Sequence, residues 1–173
     1  MIYVGVDPGV NGAIVVINDA GGLLVARKMP TVASGKRRRG SSQRVDPVAV
    51  CSFLESLNPY YSLDAFVVIE EVAAGPMTSR HSVHVLAESA ALVEGVAVGF
   101  GFRVARVRPQ VWQLAMLRAS DSGSTKDAAT ARALELWPTL AGALRLKKDQ
   151  GIADAALLAE FARTRLTTTT KGT

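Results

Sequence analysis

The sequence predicts an α/β fold in a single domain, a mixed sheet flanked by helices. Three observations carry this. Apolar, β-branched segments alternate with segments of helical period in the order three strands, helix, strand, helix, strand, then helices. Helix-start and turn signals separate them. Two carboxylates, Asp7 and Glu70, each directly follow an apolar strand. With 173 residues, 49% of them apolar, the chain can bury a full core without staples.

Ile2 to Val6 reads as a buried strand and Gly12 to Asn18 as a second. The Asn-Asp-Ala-Gly-Gly turn at 18–22 leads into a third, Leu23 to Met29, which favours an antiparallel meander. Residues 31–45 are rich in Ser, Gly and Arg, lack hydrophobic periodicity and read as a mobile loop. Asp46-Pro47 starts a helix, with a capping carboxylate followed by proline at the first helical position. Val50, Leu54 and Leu57 recur at helical spacing, and Asn58-Pro59 is expected to end that helix.

Ala65 to Glu70 is the fourth strand. A long helix is expected from about Ser82 to Gly99, then a fifth strand from Arg103 to Val107, then a short helix opened by Pro109 and containing Trp112. Ser124-Thr-Lys-Asp127 is a capping box whose helix runs to Trp137. The last helix spans about Gly151 to Arg165. The domain is therefore expected to cover 1–166 and the polar stretch 167–173 to be a disordered tail.

Several classes are disfavoured. The lone Cys51 allows no disulfide within one chain. No run reaches the roughly 18 consecutive apolar residues of a membrane span, since Glu88, Ser89 and Glu94 break the longest apolar segment. No targeting signal is visible, so the expected location is cytoplasmic: nucleoid-associated, or that of a viral protein acting in host cytoplasm. Lys plus Arg number 20 against 15 acids. The cations cluster at Lys36 to Arg39, at Arg103, Arg106 and Arg108, and at Arg145, Lys147 and Lys148. Such clustering fits a polyanion partner, and it also fits a solvated surface.

The acids carry the chemistry. A carboxylate after a buried strand is costly to bury unpaired and is better placed at the carboxyl edge of a sheet, where open α/β folds keep their sites. If the first and fourth strands are parallel neighbours, Asp7 and Glu70 converge there. Glu71 points to the opposite face by strand alternation. Asp149 and Asp154 bracket the start of the last helix, and Asp154, set among alanines and leucines, is expected to face inward. Taken singly, Asp7 could be a turn residue, Asp149 a helix cap and Asp154 a salt-bridge partner. Several carboxylates without a Cys/His cluster suit a hard cation, Mg²⁺ or Mn²⁺. His81 and His84 read as surface groups at a helix start.

The segments VGVDPGVNGA, VVIEEV, VARVRPQVWQ and the C-terminal pair SGSTKDAATARALELWP and LRLKKDQGIADAALLA resemble, in order, the motifs of RuvC-like Holliday junction resolvases. The C-terminal pair is most similar to phage and plant-chloroplast members. The resemblance implies an RNase H-like fold with a five-stranded sheet, a homodimer, and Mg²⁺-dependent paired symmetrical nicks in a four-way DNA junction, with Mn²⁺ able to substitute. It puts Asp7, Glu70, Asp149 and Asp154 at the positions of the family's catalytic, metal-binding acids. Two departures stand out. Gly151 occupies the place three before Asp154 where some members carry an acid. The loop VAAGPMTSR lacks the aromatic found in bacterial members, with Met77 its one large apolar residue.

Lys36, Arg37, Arg38 and Arg39 are expected to track DNA backbone, with Lys148 beside them in role. Lys126, in the first turn of its helix, opposes the macrodipole, which suits an external phosphate there, or a plain exposed lysine. Trp112 reads as core. Alternative functions are another RNase H-like nuclease, acting on RNA–DNA hybrids or flaps, and a non-catalytic junction-binding protein. An actin-like ATPase needs two such domains, which this length cannot hold.

Overall fold

The computed structural model describes residues 1–37, 40–61, 65–72, 79–117 and 124–166. Arg38, Arg39, Met77 and the tail 167–173 lie outside the described residues, as do the side chains of Lys36, Arg37 and Lys147.

Three antiparallel strands, β1 (Ile2–Asp7), β2 (Ala13–Asn18) and β3 (Leu23–Lys28), form the meander. Two parallel strands, β6 (Ala65–Glu70) and β7 (Arg103–Val107), extend it into a five-stranded mixed sheet of order β3-β2-β1-β6-β7. Between β3 and β6 stand β4 (Thr31–Arg37) and β5 (Gly40–Val45), an antiparallel hairpin outside the main sheet, followed by α1 (Pro47–Tyr61). The helices α2 (Arg80–Gly99), α3 (Pro109–Met116), α4 (Thr125–Leu136) and α5 (Gln150–Phe161) complete the chain.

The hairpin corrects the expectation of a loop at 31–45. Its residues from Val32 to Gly35 are exposed, as are Gln43 and Arg44. Exposed strand positions such as these have no need of apolar alternation, so the usual strand signal is absent. The first helix also runs past Asn58-Pro59 to Tyr61, so Pro59 lies in its last turn and does not stop it.

Strand alternation divides the core into two layers. Ile2, Val4, Val6, Val67 and Ile69 pack with Val50, Leu54, Ala90 and Val93 of α1 and α2. Tyr3, Val15, Ile17 and Val68 pack with Trp112, Ala129, Ala133 and α5 on the other face. Asp7 shares its parity with Tyr3 and Gly5, and Glu70 shares its parity with Val68, so both carboxylates belong to the α5 face.

Small residues let α5 lie close to the sheet. Ala153, Ala155, Ala156 and Ala159 are fully buried. A Cβ at Gly5 would collide with the carbonyl oxygen of Ala155 and stand 2.5 Å from the amide nitrogen of Ala159. Helix α2 is different in character. Its His81–Gly99 stretch is long and apolar enough to cross a membrane by length and composition, despite Glu88 and Glu94. Ala90, Val93 and Ala97 pack on the sheet, and most of the rest of the stretch is not buried.

Candidate active site

The parallel register of β1 and β6 pairs Val6 with Ile69. The next residue on each strand is an acid, so Asp7 and Glu70 end neighbouring strands at one sheet edge, as the strand-end argument required. Helix α5 lies across these strands and presents Asp154 to the same edge.

Glu70 feels the charge of Asp7, and Asp154 feels the charges of both. Burial is the largest influence on each and raises each above the usual carboxylate range. Glu70 is pushed up to about 7, by burial first and the charge of Asp7 second, with the Trp112 hydrogen bond and Lys126 opposing. Asp154 is also pushed up to about 7, by burial, then Asp7, then Glu70. Asp7 is the charge common to both. Its own Oδ1 accepts the Gly9 N–H at 3.1 Å, in the turn closed by Gly12 N–H to Gly9 O at 2.8 Å.

Asp7 and Asp154 line a cleft of about 940 Å³ together with Asn11, His81, Lys126 and Lys148. Gln43 of the hairpin also reaches it. Glu70 is not among the lining residues; its Oε1 accepts the Trp112 indole N–H at 3.0 Å. Lys126 is exposed in the first turn of α4 and draws down all three carboxylates electrostatically. The Ser124 hydroxyl caps that helix, accepting the Asp127 N–H at 3.3 Å. His81 and His84 are exposed.

Asp149 does not join this group. It is buried in a 3₁₀ turn, Lys147–Asp149, where its carboxylate meets Lys28 Nζ at 2.5 Å and accepts the Leu146 N–H at 3.1 Å. It lines a separate hollow of about 490 Å³ with Ala26, Lys28 and Arg145. The lysine bond holds it below the usual carboxylate range. The expected fourth acid is thus committed to tying the approach of α5 to β3. The alternative place, residue 151, is closed: a Cβ there would stand 2.7 Å from Asn11 O and 2.8 Å from Asp7 Oδ2.

Glu71 also stands apart. Its carboxylate lies 3.4 Å from Arg108 Nε, and its N–H donates to Val107 O at 2.8 Å. Sequence reasoning missed two features, the hairpin beside the cleft and the bond from Trp112 to Glu70. The second had a signal, since a buried indole N–H needs an acceptor.

The donor set is all oxygen and carries negative charge at a partly buried edge, which suits a hard divalent cation. Among the described residues no group of three Cys, His, Asp or Glu side chains is arranged to hold one metal ion. The fit is therefore to Mg²⁺ held by one or two carboxylates each, with water and phosphate oxygens completing its shell.

No protein-family model and no curated protein matches the sequence. Among solved structures, Thermus thermophilus RuvC in complex with a Holliday junction substrate superposes with a TM-score of 0.57 at 16% identity, over 98% of this chain and 97% of that one. A second Thermus thermophilus RuvC structure gives 0.50 at 17% identity, over 94% and 96%. The fold is RuvC-like: a single domain built on a mixed five-stranded sheet flanked by helices.

Proposed function

We propose that this chain is a Mg²⁺-dependent endonuclease that resolves four-way DNA junctions, as a homodimer, by paired symmetrical nicks. The observation that carries the reading is that Asp7 and Asp154 line one cleft with Lys126 and Lys148, while Glu70 ends the strand paired beside that of Asp7. A partly buried cluster of like charges is costly for folding, and a cation with a phosphate diester is a chemistry that offsets it. The neighbouring structure bound to a junction supports branched DNA as the substrate class.

In this reading Asp7, Glu70 and Asp154 would hold the divalent cation. Bound Mg²⁺ supplies the activation of water and the neutralisation of charge on the departing 3′ oxygen; Mn²⁺ serves the same role. Lys126 and the free N–H groups at the start of α4 hold a phosphate of the cut strand. Lys148 and the basic run Lys36 to Arg39 neutralise backbone phosphates without reading sequence. Symmetrical nicking needs two sites, and the exposed apolar side of α2, where Val98 is 58% exposed, is the surface for pairing.

A gel-shift and nicking pair on Asp7→Asn tests the site. Retained junction binding with cutting lost is the expected result. Equal loss of both would assign Asp7 to DNA contact or to folding.

A further inference from the structure

Trp112 is fully buried, packed in the layer between the sheet, α4 and α5. It lies on α3, opened by Pro109 at the first helical position behind Arg108. The register Glu70↔Val107 sets the end of β7 beside the end of β6, so the helix that follows β7 passes the Glu70 side chain. There the indole Nε1–H meets Oε1 of Glu70 at 3.0 Å, across 42 residues of sequence.

We infer that Trp112 is a positioning residue: its indole N–H fixes the Glu70 carboxylate by one oxygen and leaves the other to face the cation site. The inference rests on the proposed reading of Glu70 as a metal ligand. The donor is well chosen for the task. An indole N–H donates only, so it cannot compete as a ligand or accept a proton. Unlike a lysine or serine it sits on a large ring locked by packing, which sets the direction of the bond. Groups that orient a ligand in this way typically govern metal affinity by ~10–100-fold. Nothing in the core layer requires the nitrogen, because a phenyl ring would fill most of the same apolar space.

The chain has two tryptophans, which makes a direct test possible. Trp137 donates its indole N–H to Gly21 O at 2.8 Å, on a different contact from Glu70, and serves as the internal reference. In a ¹H–¹⁵N spectrum of indole-labelled protein, Glu70→Gln should displace the Trp112 signal and leave the Trp137 signal in place. Mg²⁺ titrated into the native protein should move the same signal. By calorimetry Trp112→Phe should bind Mg²⁺ roughly 10–100-fold more weakly, while Trp137→Phe binds it as the native protein does. An unmoved Trp112 signal in Glu70→Gln overturns the inference. So does native Mg²⁺ affinity in Trp112→Phe. If Trp112→Phe does not fold, the two-signal spectrum of Glu70→Gln decides alone. A junction left uncut by the native protein, with the Trp112 signal responding to Glu70→Gln and to Mg²⁺, would remove the nuclease reading and leave the positioning role standing.

Discussion

The backbone of Gly151 lies against the carboxylate of Asp7, so that a Cβ on Gly151 would stand 2.8 Å from Asp7 Oδ2 and 2.7 Å from Gly12 Cα. The start of α5 and the end of β1 therefore meet without room for any side chain between them. This contact sets how near the start of α5, and with it Asp154, comes to Asp7.

Gly151→Ala should displace the first turn of α5 and with it Asp154. Overpacking of this kind costs about 1–3 kcal/mol, and a misplacement on the order of 1 Å at a reacting centre can cost about 10²-fold in rate. Denaturant unfolding combined with a cleavage assay checks both. A variant with native rate and stability would show that the helix can shift without consequence.

Asp154→Asn should abolish cleavage at every Mg²⁺ concentration, because it removes a carboxylate from the cleft. Asp149→Asn should cut within about tenfold of the native rate in low Mg²⁺, well short of the ~10²-fold expected for a disturbed centre. Its effect should instead be lower thermal stability, matched by Lys28→Ala, since the pair ties the turn before α5 to β3. Severe loss of cutting in Asp149→Asn, rescued by Mn²⁺, would return it to the metal site.

The pH dependence of stability follows from the raised carboxylates. Glu70 and Asp154 titrate at about 7 in the fold, against ordinary values of 4.5 and 3.8. Their neutral forms favour folding. That contribution is fully present below about pH 4 and is lost as pH rises through 7. Without divalent cations, stability from this source should fall between about pH 4 and 7 and level off above that. At pH 8 Asp7→Asn, which removes the charge felt by both, should melt several degrees above the native protein. Mg²⁺ should narrow that gap by stabilising the native protein more. Scanning calorimetry over this range, with and without Mg²⁺, measures it; a variant that melts lower at pH 8 would mean the three charges do not repel.

Neutralising Arg37, Arg38 and Arg39 together should weaken junction binding and flatten its salt dependence. Each lost phosphate contact lowers the log–log slope by roughly 0.9 on duplex arms. An unchanged slope would assign this basic run to solubility.

Much of this arrangement was legible in the sequence because the decisive elements are local. Strand ends, the Asp-Pro and Ser-x-x-Asp helix starts and the alanines around Asp154 each declare themselves within a few residues. Asp7, Glu70 and Asp154 could therefore be placed on one edge once two strands were paired. Asp149 could not be placed, because its partner Lys28 is on a distant strand and the two lysines beside it give no direction. The Trp112–Glu70 bond depends on the β6–β7 register, which no local pattern encodes. The hairpin at 31–45 was hidden for the opposite reason: with Val32 to Gly35, Gln43 and Arg44 exposed, those positions had no need to alternate.

The most direct test of the nuclease assignment is a four-way junction of fixed sequence, labelled on each strand in turn and incubated with Mg²⁺, with nicks mapped at nucleotide resolution. Nicks are expected at symmetrical positions in two opposing strands, and none with Asp154→Asn. Intact junctions, or cutting of linear duplex and RNA–DNA hybrid at the same rate as the junction, would contradict it.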